Sequence, residues 1–157
     1  MKIDNAATLP SAFDATAHTT QMTIDSGATN MYLPQRICDL IASSFFPPAI
    51  YNAQSNTYTV LCSSPPPRVG VVIDGIPFYV NPEDLMGRGW WGGKGRGLCT
   101  LAVQRQGDGD AVLGDAWLKS VVAVFDVGGK FVFLLHVGIK EKLWHVELIK
   151  FGWANFL

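Results

Sequence analysis

The chain has no uninterrupted apolar run near the ~18 residues that a membrane-spanning helix requires, so no membrane span is expected. Charge is scarce: only 16% of residues are charged and the net charge is -1. That balance lacks the clustered positive field of a nucleic-acid binder and offers nothing to an acidic membrane surface, so neither partner is expected. There is no Cys-x-x-Cys pair, and His18, His136 and His145 are scattered. Neither a metal site nor a cofactor is expected from such a distribution. The opening residues, Met1-Lys2-Ile3-Asp4-Asn5, carry no apolar region of signal-peptide type. The expectation is a cytosolic product, a mature or excised fragment, or a shortened gene product. No Asn-x-Ser/Thr sequence occurs either.

What is present suits one compact domain over 1–157, with 1–20 a weakly specified lead-in and 138–157 an ambiguous apolar extension. Hydrophobic residues make up 48% of the chain, enough for a real core. Sixteen glycines and nine prolines point to many turns and a mostly β fold of short strands. Three cysteines, Cys38, Cys62 and Cys99, allow at most one internal bridge and leave one thiol over.

Gln21 to Asp25 reads as a strand entering the tight loop Ser26-Gly27-Ala28-Thr29. A helix follows, with Pro34 in its first turn and Ile37, Leu40, Ile41 and Phe45 at helical spacing; Pro47-Pro48 stops it. Asn56 to Cys62 alternates like a strand. Val69 to Ile73 and Ile76 to Val80 flank Asp74-Gly75, a two-residue hairpin signal. Pro82 to Met86 suits one helical turn. Leu98 to Gln104 reads as one strand, Ala111 to Leu113 as another, Ala116 to Ser120 as a short helix. Val121 to Asp126 and Phe131 to Val137 form a last hairpin around Gly128-Gly129.

The residue that carries chemistry is Asp25. A carboxylate after an apolar strand and before Ser26-Gly27 suits general acid–base work on a bound water. The tripeptide alone is equally an Asx turn.

The rest of the pattern gives it meaning. Met22 to Thr29, Tyr32-Leu33-Pro34, Val71 to Val80, Val112 to Asp115 and Val122 to Asp126 occur in an order and spacing that resemble the C-terminal lobe of pepsin-like aspartic peptidases. The resemblance spans about residues 21 to 137. It implies a single lobe, double-psi-like β-barrel or sandwich in architecture, with short helices.

The resemblance also implies roles. Asp25 is the catalytic-type aspartate. Ser26, Gly27, Ala28 and Thr29 form its loop, with Ser26 where the family braces the facing loop. Leu113 and Gly114 support that loop from the neighbouring strand. Thr23, Ala111 and Val112 lie near substrate. Asp115 caps the following helix rather than doing chemistry. Cys62 and Cys99 match the family's disulfide, the alternative being two buried thiols. Cys38 is a small buried apolar residue. The implied substrate is a peptide or protein. The family is mainly secreted or vacuolar, which sits beside the absence of an export signal.

Departures are plain. There is no second Asp-Thr/Ser-Gly triplet; Asp74, Asp108, Asp110 and Asp115 sit in turns or in the Leu-Gly-Asp segment. Two facing carboxylates share one proton in this chemistry, a case in which the family itself is the standard example. One chain therefore supplies half a site. A homodimer, or a separate N-terminal lobe, is the implied partner. The opposing expectation is an inactive half-protease that binds another protein; a third is a carbohydrate- or peptide-binding β-domain. Ala28 stands where the family often has a hydroxyl, and Val132 where it has a glycine. Residues 87–97 match nothing in the family: Trp90 and Trp91 lie among glycines with Arg88, Lys94 and Arg96. A solvated hairpin tip is favoured there over an RGG-like role, and the tryptophan pair suits a partner anchor.

Overall fold

A computed structural model describes residues 2–4, 22–73, 76–87, 97–126, 128–129, 131–136 and 149–152. In chain order the elements are β1 (Lys2–Asp4), β2 (Met22–Ile24), β3 (Met31–Leu33), α1 (Gln35–Ser43), β4 (Ile50–Asn52), β5 (Thr57–Leu61), β6 (Arg68–Ile73) and β7 (Ile76–Tyr79). A 3-10 turn at Pro82–Asp84 leads to β8 (Met86–Gly87), β9 (Leu98–Leu101), β10 (Val103–Arg105), β11 (Ala111–Leu113), α2 (Asp115–Leu118), β12 (Val121–Asp126), β13 (Phe131–His136) and β14 (Ile149–Gly152). The fold is mostly β, in the manner of a single pepsin-like lobe. Among the described residues the strands form four sheets, ordered β1-β6-β7, β10-β3-β11-β2, β12-β13-β14 and β4-β5-β9-β8, and none closes into a barrel.

Strands β3, β5, β9 and β11 follow period-two burial. In β5, Tyr58 and Val60 are buried while Leu61 faces out. β6 and β7 pair from Gly70↔Tyr79 to Ile73↔Ile76, the two-residue hairpin expected; Asp74 and Gly75 lie outside the described residues. β12 and β13 pair in full from Val121↔His136 to Asp126↔Phe131. Helix α1 presents Ile37, Cys38, Ile41 and Ala42 to the core along one stripe. Pro34 is not in its first turn but just before it, at the N-cap with φ -51°, where its missing N–H costs nothing.

Three further expectations change. The run 98–104 is two strands in different sheets. The chain crosses at Ala102, whose N–H donates to Leu85 O and whose carbonyl accepts from Met31 N, both at 2.9 Å. The second helix starts at Asp115 rather than Ala116. Its N-cap is Gly114, so Asp115 is the first helical residue and makes no side-chain cap. There its carboxylate complements the helix dipole instead.

Cys62 and Cys99 are joined, with Cα atoms 5.0 Å apart. The bridge lies beside the β5–β9 ladder, where Cys99 pairs with Val60. Cys38 is free and buried. Val132 is 9% exposed, packed within the core, so the sheet accommodates its bulk. Part of the extension is sheet: β14 pairs with β13 from Leu134↔Ile149 to Phe131↔Gly152. In the lead-in, β1 pairs with β6. Leu143, Trp144, Leu148, Trp153, Phe156 and the Trp90–Trp91 loop lie outside the described residues.

Candidate active site

Strand β2 is a parallel neighbour of β11, in register Met22↔Ala111, Thr23↔Val112 and Ile24↔Leu113. Asp25 is the first residue beyond that ladder. Its N–H continues the pairing by donating to Leu113 O at 3.1 Å, which fixes the point where the chain leaves the sheet. The loop then folds on itself. Asp25 Oδ1 accepts from Gly27 N at 2.8 Å, and Ala28 N donates to Asp25 O at 3.2 Å. A Cβ on Gly27 would lie 3.1 Å from Asp25 Oδ1, tight enough to crowd the carboxylate.

The loop is held from behind by the β11–α2 corner. Asp115 N donates to Ala28 O at 2.7 Å and Ala116 N to Thr29 O at 3.1 Å. Amides that a helix start leaves without intrahelical partners thus satisfy loop carbonyls. Gly114 makes this approach possible: a Cβ there would stand 2.3 Å from Ala28 O and 2.4 Å from Asn30 O. Leu113 and Gly114 thus meet the loop through backbone contacts. Beyond the loop, β3 lies between β10 and β11.

Asp25, Ser26, Gly27 and Thr29 are exposed and Ala28 is half-buried. The carboxylate sits at an open surface on a braced loop, where a water or a second acidic group has access. Among the described residues no other carboxylate bonds to it. Thr23 is exposed and Val112 half-buried, side by side on the ladder. Ala111 is wholly buried. Strand alternation turns it inward with Leu113. Among the described residues, no group of three or more His, Cys, Asp and Glu side chains is placed to hold a metal.

Sequence reasoning missed a second cluster. Arg105, at the end of β10, donates from Nε to Tyr58 Oη at 2.8 Å and from Nη2 to Asp39 Oδ1 at 2.9 Å. Tyr58 Oη donates to the same Asp39 oxygen at 2.5 Å. The guanidinium lies 3.6 Å over the Tyr51 ring. The Tyr58 hydroxyl, then the Arg105 guanidinium, hold the Asp39 carboxyl below the usual carboxylate range despite partial burial. Burial and the bond to Asp39 push the Tyr58 phenol up to about 12. No short motif announces this cluster, because Asp39, Tyr58 and Arg105 come from separate elements.

Comparison with known proteins shows the family. The family model described as eukaryotic aspartyl protease matches residues 1–136. A probable aspartic-type endopeptidase of Aspergillus fumigatus is 40% identical over 111 residues, 69% of this chain and 25% of that protein. Aspartic proteinase yapsin-3 of Saccharomyces cerevisiae is 29% identical over 130 residues, 81% of this chain and 24% of that protein. A probable aspartic-type endopeptidase of Arthroderma otae is 32% identical over 106 residues, 66% of this chain and 26% of that protein. The chain thus spans about a quarter of the length of these relatives.

Proposed function

Because this chain belongs to the eukaryotic aspartyl protease family, we propose that it supplies one half of an endopeptidase site, with Asp25 as its aspartate. The observation that carries the reading is Asp25 itself: an exposed carboxylate on a loop braced by Leu113, Gly114 and the start of α2, with one oxygen held by Gly27 N. The second carboxylate comes from another lobe, either a second copy of the chain or a separate N-terminal lobe. In the assembled site one aspartate takes a proton from a water between them. The other, protonated, polarises the scissile carbonyl. The paired titration belongs to the dyad rather than to either residue. Thr23 and Val112, at the mouth of the ladder, line the peptide.

A second reading has its own support. Val122, Val124 and Phe125 on β12, at the edge of its sheet among the described residues, are each close to half exposed. An inactive half-protease that binds another protein uses such a surface.

The test combines solution mass with hydrolysis of a denatured protein at acidic pH, with and without pepstatin. The proposal expects cleavage only from an assembled species, abolished by Asp25→Asn without loss of assembly. A monomer that never cleaves, alone or with an added N-terminal lobe, removes the endopeptidase reading and leaves the binding one.

A further inference from the structure

We propose that Asp39, Arg105 and Tyr58 form an acid-persistent clamp on the corner between β3 and α1, the path by which the chain leaves the Asp25 loop. The three side chains come from α1, β10 and β5, so one cluster ties the helix to two sheets. Arg105 is the register partner of Leu33, the last residue of β3, while its side chain reaches Asp39 on the helix that β3 launches. The next residue repeats the tie, Gln106 N donating to Leu33 O at 2.9 Å. The corner is closed by backbone on one side and by an ion pair on the other.

Its durability in acid follows from what surrounds Asp39. From β10 comes Arg105, a cation at every relevant pH. From β5 comes Tyr58, a neutral donor whose proton stays in place through acid. From α1 itself comes Gln35, with Nε2 3.5 Å from Oδ2, while Arg36 lines the same shallow groove and the buried Cys38 thiol lies adjacent. From β4 the Tyr51 ring carries the guanidinium, and its hydroxyl donates to Asn56 Oδ1 at 3.0 Å. Asn56 Nδ2 in turn donates to the Arg105 carbonyl at 3.2 Å. Tyr58, Arg105 and Gln35 each donate to the carboxylate and so favour its ionised form, and together they outweigh the opposing effect of burial. The Lys119–Asp84 pair is the contrast in geometry: at 3.8 Å it is a looser contact than the 2.9 Å Arg105–Asp39 pair, whose carboxylate is 45% exposed and therefore partly screened by solvent. The Asp39 carboxyl is depressed below the ordinary range, in keeping with the geometry. The sign follows: a depressed acid stabilises the fold above its unfolded value, and that contribution is lost as pH falls through the folded one.

The inference concerns folding, so it stands or falls independently of peptidase activity. The experiment follows the Asp39 carboxyl by carbon NMR in the intact chain and compares urea unfolding of wild type and Asp39→Asn from pH 7 to pH 2.5. Asn keeps the shape and an acceptor oxygen but not the charge. The expected result is a titration midpoint below the ordinary ~3.9 of aspartate. The variant should have a folding constant about two- to fivefold lower at neutral pH, the size expected of a half-exposed, solvent-screened pair, a deficit still largely present at pH 4 and gone only at lower pH. A midpoint at or above the ordinary value, convergence of the two proteins by pH 4, or wild-type unfolding by that pH overturns the proposal. If the variant does not fold, the wild-type titration decides alone.

Discussion

Gly114 stands against the carbonyl of Ala28 so closely that a single added methyl group would lie 2.3 Å from its oxygen. The contact is backbone against backbone, so no side chain can move aside. Gly114→Ala is therefore expected to push the β11–α2 corner off the Asp25 loop and break the bonds from Asp115 N and Ala116 N. The cost is about 3 kcal/mol or more, at the upper end of overpacking changes. Urea unfolding checks it: a midpoint within error of wild type would mean that the corner does not brace the loop.

The Cys62–Cys99 bridge closes a separation of 37 residues. On loop-entropy arithmetic it stabilises the fold by about 3–4 kcal/mol. Replacing both cysteines by serine is expected to lower stability by that order, and a reducing agent should destabilise the wild type but not the variant. The measurement is denaturant unfolding with and without reductant. Equal stability in both states would mean that the β5–β9 ladder already holds these ends together in the unfolded ensemble.

Much of this was legible in the sequence. Asp25-Ser26-Gly27 lies where strand meets loop, and the hairpins β6–β7 and β12–β13 follow apolar runs broken by turn residues. Local patterns of this kind suffice because their partners are close in the chain. The sheet switch at Ala102 was not legible, because an apolar stretch reads as one strand whether or not it changes sheet. The facing of β11 was not legible for a related reason: in a strand this short, with Ala111 and Leu113 buried and Val112 between them half-buried, no alternation of residue type marks which side is which. The Asp39–Arg105 pair spans 66 residues and joins helix to strand, so nothing in either neighbourhood marks it.

Trp117 offers a test of the core. It is wholly buried, meets Phe78 edge-on at 6.4 Å, and its indole Nε1 has no hydrogen-bond partner among the described residues. A buried unpaired donor costs about 1–3 kcal/mol. Trp117→Phe removes that donor along with part of the ring, so the two effects offset. It is expected to cost under about 2 kcal/mol, against about 3–5 kcal/mol for Trp117→Ala. Thermal unfolding of both variants distinguishes them; equal losses would mean that the indole nitrogen contributes no penalty.

Cys38 sets the alkaline limit. Its thiol is 1% exposed, donating toward Leu33 O at 3.3 Å and Gln104 O at 3.2 Å. Burial, assisted by the negative charge of Asp39, pushes the thiol up to about 12. At pH 8 the thiolate is then roughly one part in ten thousand, so a thiol reagent should modify Cys38 only through unfolding, at a rate that rises with denaturant. The stability consequence has a definite sign. The folded chain keeps the proton while the unfolded chain releases it near 9, so the contribution is complete below that pH and is lost as pH rises toward about 12. The slope approaches ~1.4 kcal/mol per pH unit in that window. Cys38→Ala should flatten the curve between pH 9 and 10, leaving at higher pH the smaller fall from Tyr58, whose phenol is also displaced upward. If the variant and wild type fall in parallel from pH 9, the thiol is not sealed in the core as the packing of α1 against β3 and β10 requires.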